Sequence, residues 1–353
     1  MDNIGLDLHK RETQLCILAE DGTVSERCIV TTRERFTAVL GGRAPARVLL
    51  EASTESEWVA RHLAALGHAV VVADPNFAPI YATRSRRVKT DKRDARTLAE
   101  ACRAGTYRPA HRTIEAQRHM RAELAVRDAL VRTRARYIVL AKSLARRNGL
   151  RIAPGASERF LARLAAVELP PALAAELAPL VALLRPLTDE IAAADAGIAA
   201  LAERDPLVRR LTTAPGVGPV TATAFVATLD DAARFAGAHQ VEAYLGLVPA
   251  EYSSGEKQRR GAITKTGSPR MRWLLVEAAW GVFRSKRPDT ADLRAWAERV
   301  AVRRGRRTAV VALARRLAGI LYAMWRDGTA YGEQRPARGT DHAEVHAPRA
   351  RAA

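Results

Sequence analysis

The sequence predicts an α/β domain over residues 1–108, a helical coiled-coil connector over 109–204, and a mostly α-helical domain with a helix-hairpin-helix-like element over 205–330. The first prediction rests on strand-like runs confined to the first third of the chain. The second and third rest on Ala, Leu and Arg repeating at helical spacing further on. A chain of 353 residues is long enough for two or three such domains. Residues 331–353 are polar and rich in Pro and Arg, which predicts a disordered basic tail.

Positive charge dominates the composition. The 57 Lys and Arg outnumber the 38 Asp and Glu, and the formal net charge is +19. A surface of this sign favours a polyanionic partner, nucleic acid ahead of membrane. We expect no apolar run of bilayer length and no signal peptide, so the sequence predicts a soluble cytoplasmic protein with no membrane contact.

Cysteine and histidine usage argues against a zinc site. The cysteines are Cys16, Cys28 and Cys102, an odd number without paired spacing. We expect them to be reduced and half-buried. The eight histidines form no HExxH or similar cluster, so the sequence predicts no structural or catalytic zinc.

Strand and helix signals follow one another in a definite order through the first domain. Three strands are predicted at 3–8, 14–19 and 24–30, with Asp21-Gly22 as a hairpin signal between the last two. A helix at 32–40, a strand at 47–50, a helix at 55–66 and a strand at 69–73 come next. Three consecutive strands followed by alternating helix and strand predict a ribonuclease-H-like sheet.

Four acids occupy positions suited to a metal site. Asp7 lies near the end of the first predicted strand and Glu51 directly after the fourth, while Asp91 and Asp94 open a later helix on one face. Metal ions held by such carboxylates can drive phosphodiester cleavage, and oxygen ligands favour Mg²⁺. Each acid alone could instead be a surface residue, a helix cap or a partner of nearby arginines. Asp74 is a rival carboxylate that ranks lower, because Asp-Pro commonly opens a turn.

The connector carries apolar residues at the spacing of a coiled-coil seam. One stripe runs through Leu124, Val131, Ile138 and Ala145. The second alternates steps of four and three through Leu173, Leu177, Leu180, Leu184, Leu187, Ile191, Ala194, Ile198 and Leu201. We expect two long helices in an antiparallel hairpin or an oligomer seam.

The connector also contains prolines in its second stripe and arginines in its first helix. Pro179 and Pro186 fall within the second stripe, so that helix should start late or kink. Arg132, Arg134 and Arg136 of the first helix are expected on a solvated face, with nucleic-acid contact as the alternative.

Two glycines mark the start of the last domain. Gly216 and Gly218 lie in Pro-Gly-Val-Gly-Pro between two helical stretches, which resembles the hairpin of a helix-hairpin-helix element. Backbone N–H groups there could approach a phosphate. A Pro-Gly turn between packed helices has the same letters.

A serine-bearing basic stretch follows. Ser253, Ser254 and Gly255 precede a run that contains six cations and no acid from Lys257 onward, and the segment ends in a helix capped by Ser268. Such a segment could offer a hydroxyl to a phosphate and neutralise its charge, or it could be a solvated turn. The cations are Lys257, Arg259, Arg260, Lys265, Arg270 and Arg272.

Five motifs in one order resemble the DEDD-type insertion-sequence transposases of family one-ten, also described as bridge-RNA-guided recombinases. The resemblance covers nearly the whole chain to about residue 330. The motifs are GLDLHK around Asp7, LLEAS around Glu51, KTDKRDA around Asp91 and Asp94, APGVGPVTA around Gly216, and YLGLVPAEYSSGEKQRRGAITKTGSPRMRWLL around Ser254. One departure is Thr54-Glu55, where a glycine is expected after Glu51.

The resemblance implies a RuvC-like N-terminal domain, a coiled-coil connector and a C-terminal transposase domain. Asp7, Glu51, Asp91 and Asp94 would bind Mg²⁺. Ser254, in preference to Ser253, would attack a DNA phosphate and form a covalent phosphoserine link. The acids and the serine would meet from different subunits of a dimer or tetramer.

The resemblance also implies partners. A structured RNA from the element would pair with donor and target double-stranded DNA, in the bacterial cytoplasm at the nucleoid.

Two alternative functions stay open. One is a RuvC-type structure-selective nuclease that uses water and has no serine intermediate, and the other is a non-catalytic nucleic-acid-binding protein.

Overall fold

The structure is a computed structural model that describes residues 1–77, 80, 90–251 and 260–333. Its internal contacts divide the chain into two compact units, Met1–Thr113 and Ile114–Ala353, hereafter unit 1 and unit 2. The predicted basic tail lies almost entirely outside the described residues.

Unit 1 is built on a five-stranded mixed sheet with the order β3-β2-β1-β4-β5. The first three strands pair antiparallel, and β4 and β5 join them in parallel to β1. Three antiparallel strands followed by two parallel ones is the α/β arrangement that the sequence predicts. The elements are β1 (Asn3–Leu8), β2 (Glu12–Leu18), β3 (Val24–Val30), α1 (Arg33–Leu40), β4 (Arg47–Glu51), α2 (Ser56–Ala65), β5 (Ala69–Ala73) and α3 (Asp91–Ala104).

The sheet lies between two helical layers, because successive side chains of a strand point to opposite faces. On β1, Ile4 and Leu6 belong to a buried core with Phe36 of α1 and Leu63 of α2. The opposite face packs against α3. Its small cluster contains Cys16, Leu18, Ala95 and Ala99.

Gly5 lets α3 lie directly on β1. A Cβ atom at this position would come within 2.1 Å of the Ala95 carbonyl oxygen and 2.3 Å of the Ala99 backbone nitrogen. Only a glycine permits so close an approach of two backbones. The start of α3 is thereby held beside the end of β1.

Unit 2 is mostly helical, as the sequence predicts, with one small hairpin. Its α-helices are α4 (Glu115–Arg147), α5 (Phe160–Ala165), α6 (Pro171–Arg204), α7 (Pro206–Leu211), α8 (Pro219–Leu229), α9 (Ala238–Tyr244), α10 (Pro269–Arg284), α11 (Ala291–Arg304) and α12 (Arg306–Asp327). Strands β6 (Pro249–Glu251) and β7 (Arg260–Ile263) pair antiparallel. Short 3₁₀ helices cover Ser157–Arg159, Ala232–Arg234 and Pro288–Thr290.

Helices α4 and α6 form an antiparallel pair within the chain. Near the start of α4, Arg127 donates from Nε to Asp195 Oδ1 late in α6 at 2.5 Å. Near its end, Ile138 shares a buried cluster with Leu177 and Leu184 from the first half of α6. Of the two arrangements that the sequence allows, the structure shows the hairpin, and an oligomer seam stays a prediction.

The structure decides two points about this pair. Helix α6 begins at Pro171, ahead of Pro179 and Pro186, so of the two outcomes expected for this helix the late start is wrong and the kink stays a prediction. Proline is well suited to that first helical position because its missing N–H has no partner there anyway. Arg134 is not on a solvated face: it is buried, and its Nη2 lies 2.7 Å from Glu158 Oε1.

Helix α12 runs through the core of unit 2. Its buried residues include Leu313, Leu317 and Leu321, in one cluster with Phe225 of α8 and Leu275 of α10. By length and composition alone, α6 and α12 are apolar enough to cross a membrane, contrary to the expectation from the sequence. Core helices pass the same test, and half of the apolar window of α12 is buried against its own unit.

Candidate active site

The strand acids lie on the face of the sheet that α3 covers. Asp7 follows Gly5 by two residues on β1 and therefore points to the same side. Glu51 is the last residue of β4, rather than the first residue after it as the sequence suggested. The parallel register pairs Leu6 with Leu50, so one further step sets Asp7 opposite Glu51.

The helix acids occupy the first turn of α3. Thr90 caps this helix by accepting a hydrogen bond from the Arg93 N–H, and Asp91 is the first helical residue. Carboxylates at a helix N-terminus are stabilised by the partial positive charge of the free N–H groups. Asp94 is buried, with 8% of its surface exposed, and it immediately precedes Ala95, which contacts Gly5. The predicted acidic pair therefore opens a helix held against β1.

Asp7 and Asp91 meet around a residue that the sequence analysis did not select. His9 Nε2 lies 3.4 Å from Asp7 Oδ2 and 3.5 Å from Asp91 Oδ2. All three donor atoms lie within 4.8 Å of one another. An Asp-x-His pattern at a strand end, with alternate side chains on one face, is the signal that could have found it.

Asp74 has a structural role. Its Oδ1 accepts hydrogen bonds from the backbone and side-chain N–H groups of Asn76, and its Oδ2 accepts from Arg108 Nε at 3.2 Å. The hydrogen bond from the Asn76 backbone N–H, and to a smaller extent the one from Arg108, lowers the pKa of the Asp74 carboxyl below its usual value. A carboxylate engaged in a turn and an ion pair supports the lower rank that the sequence gave it.

The serine segment joins β6 to β7 in unit 2. Ser253, Ser254, Lys257 and Arg259 lie outside the described residues, and of Arg260 only the backbone in β7 is described. The sequence did not predict these two strands, because its Gly and Ser turn signals outweigh three- and four-residue strands.

The base of this hairpin is closed by backbone contacts, and we call it the hairpin base. The Thr264 N–H donates to Val248 O at 2.9 Å, and the Lys265 N–H donates to Gly246 O at 3.1 Å. A Cβ atom on Gly267 would lie 2.1 Å from the Tyr244 carbonyl oxygen. The C-terminus of α9 and the segment before α10 therefore lie in direct contact.

Arg270 and Arg272 make contacts inside unit 2. Arg270 Nη2 lies 3.0 Å from Asp128 Oδ1 of α4. Arg272 Nη1 donates to Leu245 O at 3.1 Å and also to Thr266 O, across the hairpin base. Burial lowers the pKa of both guanidinium groups from their ordinary value. By contrast, Lys265 is exposed.

The two glycines of Pro-Gly-Val-Gly-Pro differ in their surroundings. Gly216 has φ +77°, and a Cβ atom there would lie 2.6 Å from Ala278 O of α10. Gly218 is the N-cap of α8, with no atom within 4 Å of a Cβ position. Tight packing on α10 therefore explains Gly216, while the N-terminus of α8 beside Gly218 is open.

Family comparisons agree with this arrangement. A family model described as a transposase, of the DEDD type of IS110, matches residues 4–146. A second, described as the transposase IS116/IS110/IS902 family, matches residues 208–294. The first match includes all four predicted acids, and the second includes the serine segment.

Full-length relatives are similar throughout. A probable family 20 transposase of Pseudomonas aeruginosa is 33% identical, covering 94% of this chain and 98% of the relative. The transposase for insertion sequence element IS1111A of Coxiella burnetii is 29% identical over 91% of this chain and 88% of its own length. The transposase for insertion sequence element IS1328 of Yersinia enterocolitica is 29% identical over 94% and 98%. The chain therefore belongs to the IS110 family of DEDD transposases and is a DNA transposase of an insertion sequence.

Proposed function

We propose that this transposase cuts and rejoins DNA at a RuvC-like site in which Asp7, Glu51, Asp91 and Asp94 hold a divalent metal, Mg²⁺. The observation that carries the proposal is the convergence of Asp7 and Asp91 around His9 Nε2, from a strand and a helix far apart in sequence. The strand order β3-β2-β1-β4-β5 supports a ribonuclease-H-like fold for the domain.

The donor set suits this group of metals. Carboxylate oxygens are the ligands that Mg²⁺ prefers in proteins. A bound divalent cation would supply charge neutralisation for the reacting phosphate. The chain's own contribution is to hold the carboxylates in place, since Gly5 fixes α3 against β1 and Thr90 fixes where the helix begins.

Ser254 is the proposed nucleophile. Its Oγ attacks a DNA phosphorus, so that one Oγ–P ester bond forms while one P–O ester bond breaks and a DNA hydroxyl end leaves. The serine proton passes to that leaving oxygen or to solvent. In the second step a DNA hydroxyl attacks the phosphoserine and restores Ser254, so the number of ester bonds is conserved and no external energy source is required.

Cations near the serine would hold the phosphate under attack. Lys257, Arg259, Arg260 and Lys265 are the proposed phosphate contacts, together with the backbone N–H groups beside Gly216 and Gly218. Arg270 and Arg272 would act from within unit 2, by fixing the hairpin base and the start of α10.

The partners are proposed from the family resemblance and from charge. The net charge of +19 suits simultaneous contact with DNA and a structured RNA from the element's own ends. The acids and Ser254 would meet from different subunits of a dimer or tetramer, at the nucleoid in the bacterial cytoplasm. RNA copurifying from cells that carry the whole element should map to one element end, and an RNA pool without such enrichment would contradict the guide.

Covalent trapping tests the nucleophile. Wild-type protein incubated with element-end DNA, element RNA and Mg²⁺ should give a protein–DNA adduct that survives denaturing electrophoresis. Ser254→Ala should lose both the adduct and strand transfer, because no other group at that position supplies Oγ. The matched control Ser253→Ala should keep both.

Two outcomes would redirect the proposal. An adduct in Ser254→Ala but not in Ser253→Ala would move the nucleophile by one residue. Cleavage without any adduct in Ser254→Ala, lost in Asp7→Asn, would favour the RuvC-type nuclease that uses water.

A further inference from the structure

His9 is held in place by the backbone around it. Its N–H donates to Glu12 O at 3.1 Å, which closes the tight connection between β1 and β2. Its carbonyl oxygen accepts from Thr31 Oγ1 at 2.9 Å, and that hydroxyl lies 2.8 Å from Thr13 Oγ1. Thr13 is fully buried. Backbone hydrogen bonds on both sides of His9 fix the direction of its Cα–Cβ bond, and this direction brings the ring to Asp7 and Asp91.

The ring nitrogen lies equally far from two carboxylates. Its distances of 3.4 Å to Asp7 Oδ2 and 3.5 Å to Asp91 Oδ2 exceed the roughly 2.7–2.9 Å of a charge-assisted hydrogen bond. Donor atoms on neighbouring corners of an octahedral site with bonds of about 2.2 Å lie about 3 Å apart. These two nitrogen–oxygen distances therefore suit ligands of one cation better than direct bonds between them, and the two carboxylate oxygens lie within 4.8 Å of each other.

We propose that His9 Nε2 is a metal ligand together with Asp7 and Asp91, and that this nitrogen shifts the site's preference from Mg²⁺ towards Mn²⁺. The inference rests on the proposed metal dependence of the site. Mg²⁺ selects oxygen ligands, whereas imidazole suits transition metals. Among the residues that the structure describes, this is the one group of three or more potential metal-binding side chains found close together.

A protonated His9 could play the opposite part, as a cation that occupies the space between the carboxylates. The two roles predict opposite effects on metal affinity when the His9 side chain is removed. Removing a ligand weakens metal binding, whereas removing a competing cation strengthens it. The difference makes His9→Ala a decisive variant.

The test uses the full-length protein, stripped with chelator and titrated with Mn²⁺ or Mg²⁺ by calorimetry. We expect His9→Ala to weaken Mn²⁺ binding at least tenfold and Mg²⁺ binding less than threefold. His119→Ala is the matched control, since His119 is also exposed and lies 3.9 Å from a carboxylate oxygen of Glu115 in α4. It should bind both metals as the wild type does.

A spectroscopic readout reports the ligand directly. Pulsed electron paramagnetic resonance of the Mn²⁺-loaded protein should show modulation from a coordinated ¹⁴N that persists in His119→Ala and disappears in His9→Ala. Unchanged or tighter Mn²⁺ binding in His9→Ala, with loss of binding in Asp7→Asn, would overturn the role of His9 alone. Equal or absent Mn²⁺ binding in wild type and Asp7→Asn would instead overturn the metal site itself.

Discussion

Replacing Gly5 with alanine should separate α3 from β1. The new Cβ would lie 2.1 Å from Ala95 O and 2.3 Å from Ala99 N, both backbone atoms that cannot rotate away. Ordinary contact needs about 3.5 Å, so α3 must withdraw by about 1 Å or more. Overpacking of this kind costs about 1–3 kcal/mol, and a clash with backbone on both sides favours the upper end.

Calorimetry and hydrogen exchange measure this effect. A loss of about 3 kcal/mol lowers the Tm of a unit of this size by roughly 10 °C. Exchange of backbone amides should speed up in β1 and α3 of Gly5→Ala. Because Asp91 and Asp94 travel with α3, Mn²⁺ binding should also weaken at temperatures where the variant stays folded.

The matched control is Gly42→Ala in the same unit. No atom lies within 4 Å of a Cβ position at Gly42, so its effect should stay within about 0.5 kcal/mol. The direct packing of α3 on β1 would be refuted if Gly5→Ala unfolded at the same temperature as Gly42→Ala.

Three more predictions concern packing, ion pairing and thiol chemistry. Gly216→Ala should lower the free energy of unfolding, measured by urea denaturation, by about 1–3 kcal/mol, because its Cβ would lie 2.6 Å from a carbonyl oxygen of α10. Gly218→Ala should have no such effect, and equal urea midpoints for the two variants would contradict the packing. Asp128→Ala should lower the free energy of unfolding by about 3 kcal/mol, because it leaves Arg270 without its partner at 3.0 Å. A double variant that also carries Arg270→Ala should recover part of that loss, and strictly additive losses would rule the ion pair out. A disulfide reagent should modify Cys28 in the native protein but Cys16 and Cys102 only in denaturant, since burial raises the pKa of these two thiols to about 11. Reaction of all three thiols at once in buffer would show that the core of unit 1 is open.

The sequence predicts unit 1 well because its strands are short, mostly apolar runs bounded by diagnostic turn residues. Strands β1, β3 and β5 begin and end where the pattern indicates, and β2 begins two residues and ends one residue earlier than predicted. Ser268 accepts a hydrogen bond from the Met271 N–H at the start of α10, as its place before Pro269 suggests. Local chemistry decided each of these features.

What the sequence missed depends on contacts between distant segments. The spacing of Asp7 and His9 along the chain indicates that their side chains share a face, but only the fold brings Asp91 of α3 to them. Arg134 looks like one of several solvated arginines until Glu158 is brought against α4. Cys28 was expected to be half-buried but is exposed, because it lies on the strand at the edge of the sheet.

The hairpin base of unit 2 is held together by contacts of its own. Gly246 and Gly267 let the backbones around α9 and α10 touch, and Arg272 bridges both sides, so contacts among the described residues already join the two ends of the β6–β7 connection. We therefore expect a change in the length of the β6–β7 connection to leave the hairpin base folded, which thermal unfolding of a shortened variant would measure.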